Sequence, residues 1–457
     1  MREDSKARIA LVVLNRQYLI SWFDSGTIDL LIDSGSCEVS VFSPQHVLDL
    51  LPTDTKYKKF KIDSIEASTA ATHLVAMNWV SLRSKSSTFR FSLQRTFRSD
   101  YWFFAFRLGL IQGFKQTVLN AKTVLWNLRK KRLTVLYFFR PFRILAKRHR
   151  SKLGKMNVLP EGIRNGNFDW MFIPCHAIDE LMTDYIAEAR EIGLKSLVAI
   201  DNWDNLTSKS VYVVKPDYLT VMGQKCIEHA KNIHGIQKES VLTYGLPRFD
   251  AYRKHELSRP VIAQNPKKRV LYAGFSMAHS EKRVVDAIAS YLDERYGDGA
   301  VEVHYRPHPI PIPRIDKYEI SHPNVVSSSH GSLPRTGMPT MDSSYISAMQ
   351  SADVVVGAPT TLMLEAMLLG RPCVIDLTTD KFHRTTASNA AKHFVHMHDL
   401  LAVPDVDAGR TISEILSAVD ALLTKDVESV DYDIDHLYNT ADALYGEQLL
   451  AFLTAEN

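Results

Sequence analysis

The feature that most constrains the fold of this chain is an alternation of short apolar runs, each too brief for a buried helix, with segments of helical spacing. The runs at 10–14, 170–173, 196–200, 218–221 and 241–244, and the alternating segment 37–42, read as strands. Between them, 21–32, 177–192 and 226–233 carry the spacing of helices. A second series follows, with strands predicted at 269–273, 301–305, 354–356 and 373–375 and helices at 281–295, 345–352 and 362–369. Strand, helix and strand in succession build a parallel sheet covered by helices. Residues 246–268, with Pro247, Pro260 and Pro266 and little periodicity, suit a linker between the two series. The expected fold class is therefore α/β, with two Rossmann-like, doubly wound parallel-sheet domains, 1–245 and 269–457, facing a cleft. At 457 residues the chain is long enough for two cores. The stretch 321–341, rich in Ser, Pro, Gly and His, reads as a loop, and 411–423 and 435–453 read as closing helices.

Charge is distributed unevenly. Residues 83–155 carry nineteen Lys or Arg against one acid, Asp100, a local +18 against +4 for the whole chain, which leaves −14 for the rest. Within that insert, Tyr101, Trp102, Phe103, Phe104, Phe106, Phe114, Trp126, Tyr137, Phe138, Phe139 and Phe142 interleave with Arg107, Lys115, Lys122, the Arg129–Arg132 run, Arg140 and Arg143. Cationic amphipathic segments with aromatic residues at the apolar edge lie in the headgroup plane of anionic bilayers. Nucleic acid and simple packing of the insert on its own domain are the alternatives, and the apolar content is too heavy for a face that only tracks phosphates. The insert is therefore expected to contact an anionic membrane surface, with no nucleic-acid partner. No run of 18 apolar residues is present, so no span is expected, and the short apolar run after the charged N-terminus does not suit a signal peptide. Cys37, Cys175, Cys226 and Cys373 are far apart and form no metal-ligand spacing, as reduced buried thiols of a cytoplasmic protein would. The expected location is cytoplasmic, peripherally attached to the inner face of the cell membrane.

Open α/β sheets bind ligands outside the carboxyl ends of their strands, so polar residues placed there are the candidates. Tyr305-Arg306-Pro307-His308-Pro309 holds two cationic or hydrogen-bonding side chains on a loop stiffened by proline, which suits a pyrophosphate or else a rigid surface loop. Residues 351–361 run from a strand through Gly357-Ala358-Pro359-Thr360-Thr361 into a helix, so free backbone N–H groups meet a helix dipole at an anion site. Glu365, on that helix, either accepts hydrogen bonds from a ribose or is an exposed carboxylate. Gly274 and Ser276, after the first strand of the second series, allow close approach of a phosphate. No G-x-G-x-x-G fingerprint accompanies them, so no NAD or FAD cofactor is expected. In the first series, Asp201, Asn202, Asp204, Asn205 and Lys209 form the densest polar cluster. One of its carboxylates is a candidate general base, the competing reading being an Asx-rich turn. Arg16, His176, Asn205 and Lys209 are candidate acceptor contacts on the same rim, and Arg248 a candidate donor contact at the crossing between domains.

Arg306-Pro307-His308-Pro309, together with 351–361, Glu365-Ala366 and Gly370-Arg371-Pro372, resembles the donor half of GT-B glycosyltransferases. The likeness is greatest to the CDP-glycerol glycerophosphotransferase and capsule-biosynthesis branch, with sugar-nucleotide 2-epimerases as more distant relatives, and it covers roughly residues 163–376. The resemblance implies that His308 and the Thr360–Thr361 helix start hold a donor pyrophosphate and that Glu365 holds its ribose. Where that branch has Asp-Tyr-Ser-Ser, this chain has Gly-Ala-Pro-Thr-Thr, which favours a sugar nucleotide over CDP-glycerol. The expectation is a metal-independent glycosyltransferase without cofactor. It would move a sugar from a nucleotide-activated donor to a lipid-linked or surface-glycan acceptor, with Asp201, Asp204 and His308 as catalytic candidates. The alternatives are a glycerophosphotransferase, a 2-epimerase and a non-enzymatic membrane scaffold.

Overall fold

The structure is a computed structural model describing residues 6–52, 55–63, 66–97, 114, 118, 121, 132–175, 180–257, 267–275, 281–308, 319–327, 343–379, 386–425 and 429–456. The first sheet comprises β1 (Ala7–Val12), β2 (Cys37–Ser43), β3 (Lys58–Lys61), β4 (Trp170–Ile173), β5 (Lys195–Ala199), β6 (Tyr218–Val221) and β7 (Val241–Thr243). All its pairings are parallel, in the order β3-β2-β1-β4-β5-β6-β7. The second sheet comprises β8 (Lys268–Ala273), β9 (Val301–Arg306), β10 (Val325–Ser327), β11 (Val354–Gly357), β12 (Cys373–Asp376) and β13 (Asp407–Gly409). It is also parallel, in the order β10-β9-β8-β11-β12-β13. Each sheet thus starts at its centre and reverses direction once, between β1 and β4 and between β8 and β11, which are the points where open sheets leave a crevice for ligands.

Helices on both faces explain why the central strands β1 and β8 are apolar over most of their length. Ile9 and Leu11 enter one core layer while Ala10 and Val12 enter the other. Val270 and Tyr272 are divided in the same way from Leu271 and Ala273. Strands buried on both faces are near-continuous apolar runs, which made them legible in the sequence. Of the edge strands, β3 and β13 are short and largely polar, and β10, only three residues long and mostly exposed, falls where a loop was expected.

Three expectations need correction. The predicted 21–32 helix is interrupted: a turn of helix at Gln17–Leu19 and Ile20–Asp24 is followed, after Gly26 at φ 80°, by a separate helix, Thr27–Asp33. The predicted 246–268 linker contains a helix, Asp250–Leu257, with Phe249 and Tyr252 buried in the common core. The predicted 435–453 helix begins only at Tyr445, and it covers the first sheet rather than the second: Tyr445, Leu449 and Leu453 lie in the layer with Ile9, Leu11 and Trp170. Local periodicity shows that a helix has an apolar face, and says nothing about which sheet that face covers.

The segment leading to this last helix crosses between the domains. Val430 N donates to Gly370 O at 2.9 Å in the second domain, whereas Asn439 N donates to Met222 O at 2.7 Å in the first. Gly223 makes room for it, since a Cβ there would lie 2.5 Å from the carbonyl carbon and oxygen of Leu437. Backbone on both sides cannot yield cheaply. Gly223→Ala is expected to lower stability by about 1–3 kcal/mol, read as a lower denaturation midpoint with an unchanged slope.

Candidate active site

In the second domain, strand register brings the candidate donor loops together. Arg306 of β9 pairs with Ala273 of β8, and Ala273 pairs with Gly357 of β11, so the three residues form one row at the carboxyl edge of the switch point. Neighbouring strands lie about 4.8 Å apart, so the outer two members of the row are about 10 Å apart. The loops that follow each strand leave from that row. Gly274 N donates to Arg306 O at 2.8 Å. A Cβ on Gly274 would lie 2.7 Å from Arg306 O and 3.0 Å from His308 N, so the close approach requires glycine. Glu281 braces the β8 loop, accepting hydrogen bonds from Phe275 N at 3.1 Å and from the Tyr305 hydroxyl at 2.5 Å. Glu281 carries no sequence signal of this role, since locally it is an ordinary first-turn helix acid.

The helix Thr361–Leu368 starts beside this row, preceded by the buried Pro359 and by Thr360 in an extended conformation. The Thr360 side chain does not cap the helix, so its opening N–H groups are not satisfied by that hydroxyl. Arg306 is buried and His308 half-buried. Glu365 is buried rather than an exposed carboxylate, and its Oε2 accepts a hydrogen bond from the Tyr252 hydroxyl at 2.9 Å. Tyr252 comes from the stretch expected to be a linker, where only its apolar spacing with Phe249 could have signalled a packed helix. Ser276 and His176 lie outside the described residues.

In the first domain, β5 delivers the polar cluster. Residues Asn205–Lys209 form one wide helical turn, and the Lys209 ammonium lies 2.9 Å from Asp204 Oδ2. Asp201 Oδ1 accepts a hydrogen bond from the Ser21 hydroxyl at 3.1 Å. Burial raises the proton affinity of Asp201, the Arg248 guanidinium opposes this most strongly, and Lys209 also opposes it while Asp204 adds repulsion. A carboxylate held in that balance is equipped to accept a proton. Arg248, on the turn Pro247–Phe249, thus acts electrostatically on Asp201. Asn205 is 2% exposed and donates to Cys175 Sγ at 3.3 Å, so it braces the loop instead of meeting an acceptor. Arg16 lies half-buried in the loop after β1.

The two halves touch at Asn202. Its Oδ1 accepts from the Thr361 hydroxyl at 2.7 Å and from Trp203 N at 2.9 Å. The loop bearing Asp201 and Asp204 is thereby fastened to the first residue of the helix Thr361–Leu368. Deeper in the seam, the Thr207 hydroxyl is 2.7 Å from His396 Nδ1, and His229 Nε2 is 3.4 Å from Asp399 Oδ2. Burial pushes both His396 and His229 down to about 4. At neutral pH the His229 imidazole beside Asp399 is therefore neutral, and burial also raises the proton affinity of Asp399. Between the ordinary 6.5 and about 4 the unfolded chain takes up protons that the folded seam refuses, so stability falls as pH drops through that window. Thermal midpoints recorded from pH 7 to 4 should decline, and His396→Gln should flatten the decline; an unchanged slope in that variant would remove His396 from the effect.

No protein-family model and no curated protein sequence matches the chain. Solved structures match its fold along the whole length. One from Listeria monocytogenes, described as a UDP-N-acetylglucosamine 2-epimerase, is 10% identical with a TM-score of 0.54, covering 99% of this chain and 97% of its own. A UDP-GlcNAc 2-epimerase from Neisseria meningitidis, bound to UDP-GlcNAc, is 12% identical with a TM-score of 0.50, covering 98% of this chain and 100% of its own. A further UDP-N-acetylglucosamine 2-epimerase is 11% identical with a TM-score of 0.51, covering 99% and 95%. With its two parallel-sheet α/β domains, the chain has the GT-B-like fold of these neighbours.

Proposed function

We propose that the protein is a nucleotide-sugar-dependent glycosyltransferase whose second domain holds the donor and whose first domain presents an acceptor hydroxyl. The observation that carries this reading is the Thr361–Asn202 hydrogen bond of 2.7 Å, which sets a proton-accepting carboxylate loop against the helix start where an anion is favoured. In the transfer, the acceptor oxygen bonds to the anomeric carbon and its proton passes to Asp201. The bond from that carbon to the diphosphate breaks, and the nucleoside diphosphate leaves with the electron pair. Arg306, His308 and the opening N–H groups of the helix stabilise the departing charge, while Glu365 orients the ribose.

The test is a panel of nucleotide sugars, measured by thermal shift and by release of nucleoside diphosphate with and without glycan or lipid-linked acceptors. Stabilisation by at least one donor, with release only when acceptor is present, is expected. Stabilisation by none overturns the reading. A second reading, 2-epimerisation of the bound sugar, is favoured by the full-length fold likeness to a protein bound to UDP-GlcNAc. It requires conversion of the nucleotide sugar to its 2-epimer in the absence of acceptor.

Thr361→Val keeps the shape of the helix start and deletes the bond to Asn202. A net cost of about 0.5–1.5 kcal/mol is expected for the lost hydrogen bond, seen as a lower thermal midpoint, together with a several-fold fall in turnover. An unchanged turnover would mean that the fastening does not matter to the reaction.

A further inference from the structure

We propose that the first domain docks on an anionic lipid surface through one exposed face of residues 136–156, centred on the helix Arg140–Lys147. A helix at a protein surface normally turns its apolar residues inward. Here the arrangement is reversed. Ala146 is the buried residue, while Pro141, Ile144 and Leu145, at the i, i+3, i+4 spacing of one helix face, are exposed, Ile144 by 55% and Leu145 by 51%. Phe139, just before the helix, is 60% exposed, and Leu136, Phe142 and Met156 are exposed as well.

This face is held rigidly. Tyr137 and Ala146 are buried in one cluster with Leu74 and Met77 of the helix Thr69–Leu82. The Arg83 guanidinium lies 4.5 Å over the Phe138 ring, and His149 stacks on His73 at 4.8 Å. The apolar side chains therefore project from a fixed platform, and their outward direction is a property of the fold.

Charge identifies what covers them. Arg140 and Lys147, at the two ends of the helix, and Arg148, Arg150, Lys152 and Lys155 after it are all exposed. From Arg132 to Pro160 the chain contains no Asp or Glu. Exposed apolar side chains flanked along the chain by exposed cations match a bilayer interface, where the former enter the headgroup–acyl boundary and the latter meet lipid phosphates. A nucleic-acid face would place its cations centrally along the phosphate track, with few apolar residues between them. Of residues 83–155, expected to meet a membrane, this face is thus the part that the described structure equips to do so. The proposal does not depend on the nucleotide-sugar reading.

The test is co-sedimentation of the full-length protein with phosphatidylglycerol vesicles and with phosphatidylcholine vesicles. Binding is expected to the first, weakening with salt, and to be slight with the second. Ile144→Ser with Leu145→Ser, and separately Arg140→Glu with Lys147→Glu, should each lower the bound fraction about tenfold or more. Because these side chains are exposed, far-UV circular dichroism should stay as in the parent protein, and the charge-reversal pair serves if the serine pair loosens the helix. Failure of the parent to bind phosphatidylglycerol overturns the proposal, as does binding by both variants at the parent level. A concentration-dependent dimer that is lost in the serine pair, with vesicle binding intact, also overturns it. Thermal shifts with nucleotide sugars on the same variants are a separate readout: their loss in the parent bears on the donor site alone.

Discussion

Asp201→Asn is expected to lower turnover by about 10²–10⁴-fold, the range associated with removing a positioned general base, while nucleotide-sugar affinity stays close to that of the parent. Asparagine keeps the acceptor oxygen that meets Ser21 but cannot take up the proton. The pH profile supplies a readout that a purely structural role would not move. Burial raises the proton affinity of Asp201 above the ordinary 3.8, so the base is protonated and activity lost as pH falls through that raised value. The acid limb of kcat in the parent should lie above that of an unperturbed carboxylate, and the residual activity of Asp201→Asn should have no such limb. A parent limb that persists unchanged in the variant would assign the proton to another group, with Asp204 next in line.

The second large effect is expected at Arg306. Its removal takes away a buried cation from the row that it forms with Ala273 and Gly357. A charge-assisted hydrogen bond to phosphate is worth roughly 1.5–3 kcal/mol, so Arg306→Ala should weaken nucleotide binding by about 10–150-fold by calorimetry. Arg306→Lys should recover only part of this, because lysine keeps the charge and loses the planar fork. The melting curve of the nucleotide-free variant separates a folding defect from a binding defect. His308→Ala should weaken binding less, since His308 is half-buried at the edge of the same loop. Unchanged nucleotide affinity in Arg306→Ala, with the fold intact, would remove the pyrophosphate from this row.

The donor-side candidates were legible for a local reason. Arg306-Pro307-His308 closes β9, whose Val301, Val303 and Tyr305 alternate with polar residues, and Pro359-Thr360-Thr361 follows β11, which is buried throughout and reads as an apolar run. The polar cluster at 201–209 was legible in composition and not in its contacts. Nothing near residue 205 shows that Asn205 turns inward to Cys175, and nothing near residue 248 shows that Arg248 acts electrostatically on Asp201. Asn202 stood within the polar cluster, but its hydrogen bond to a residue 159 positions away has no sequence signal. His396 had none either, being set by the packing of two distant segments.

The amino-acid order by itself determined that there would be two parallel sheets, that anion-favouring loops would follow the strands of the second, and that a cationic, aromatic-rich segment would interrupt the first. Those properties follow from side-chain periodicity and backbone preference over a few residues. The tertiary structure alone decided that Arg306, Ala273 and Gly357 share a row, that the last helix returns to the first sheet, and that Ile144 and Leu145 face outward. Each of these depends on which apolar faces meet across long loops. That choice is made by burial summed over the whole chain, and the hydrophobic effect that drives it has no direction written into any short segment.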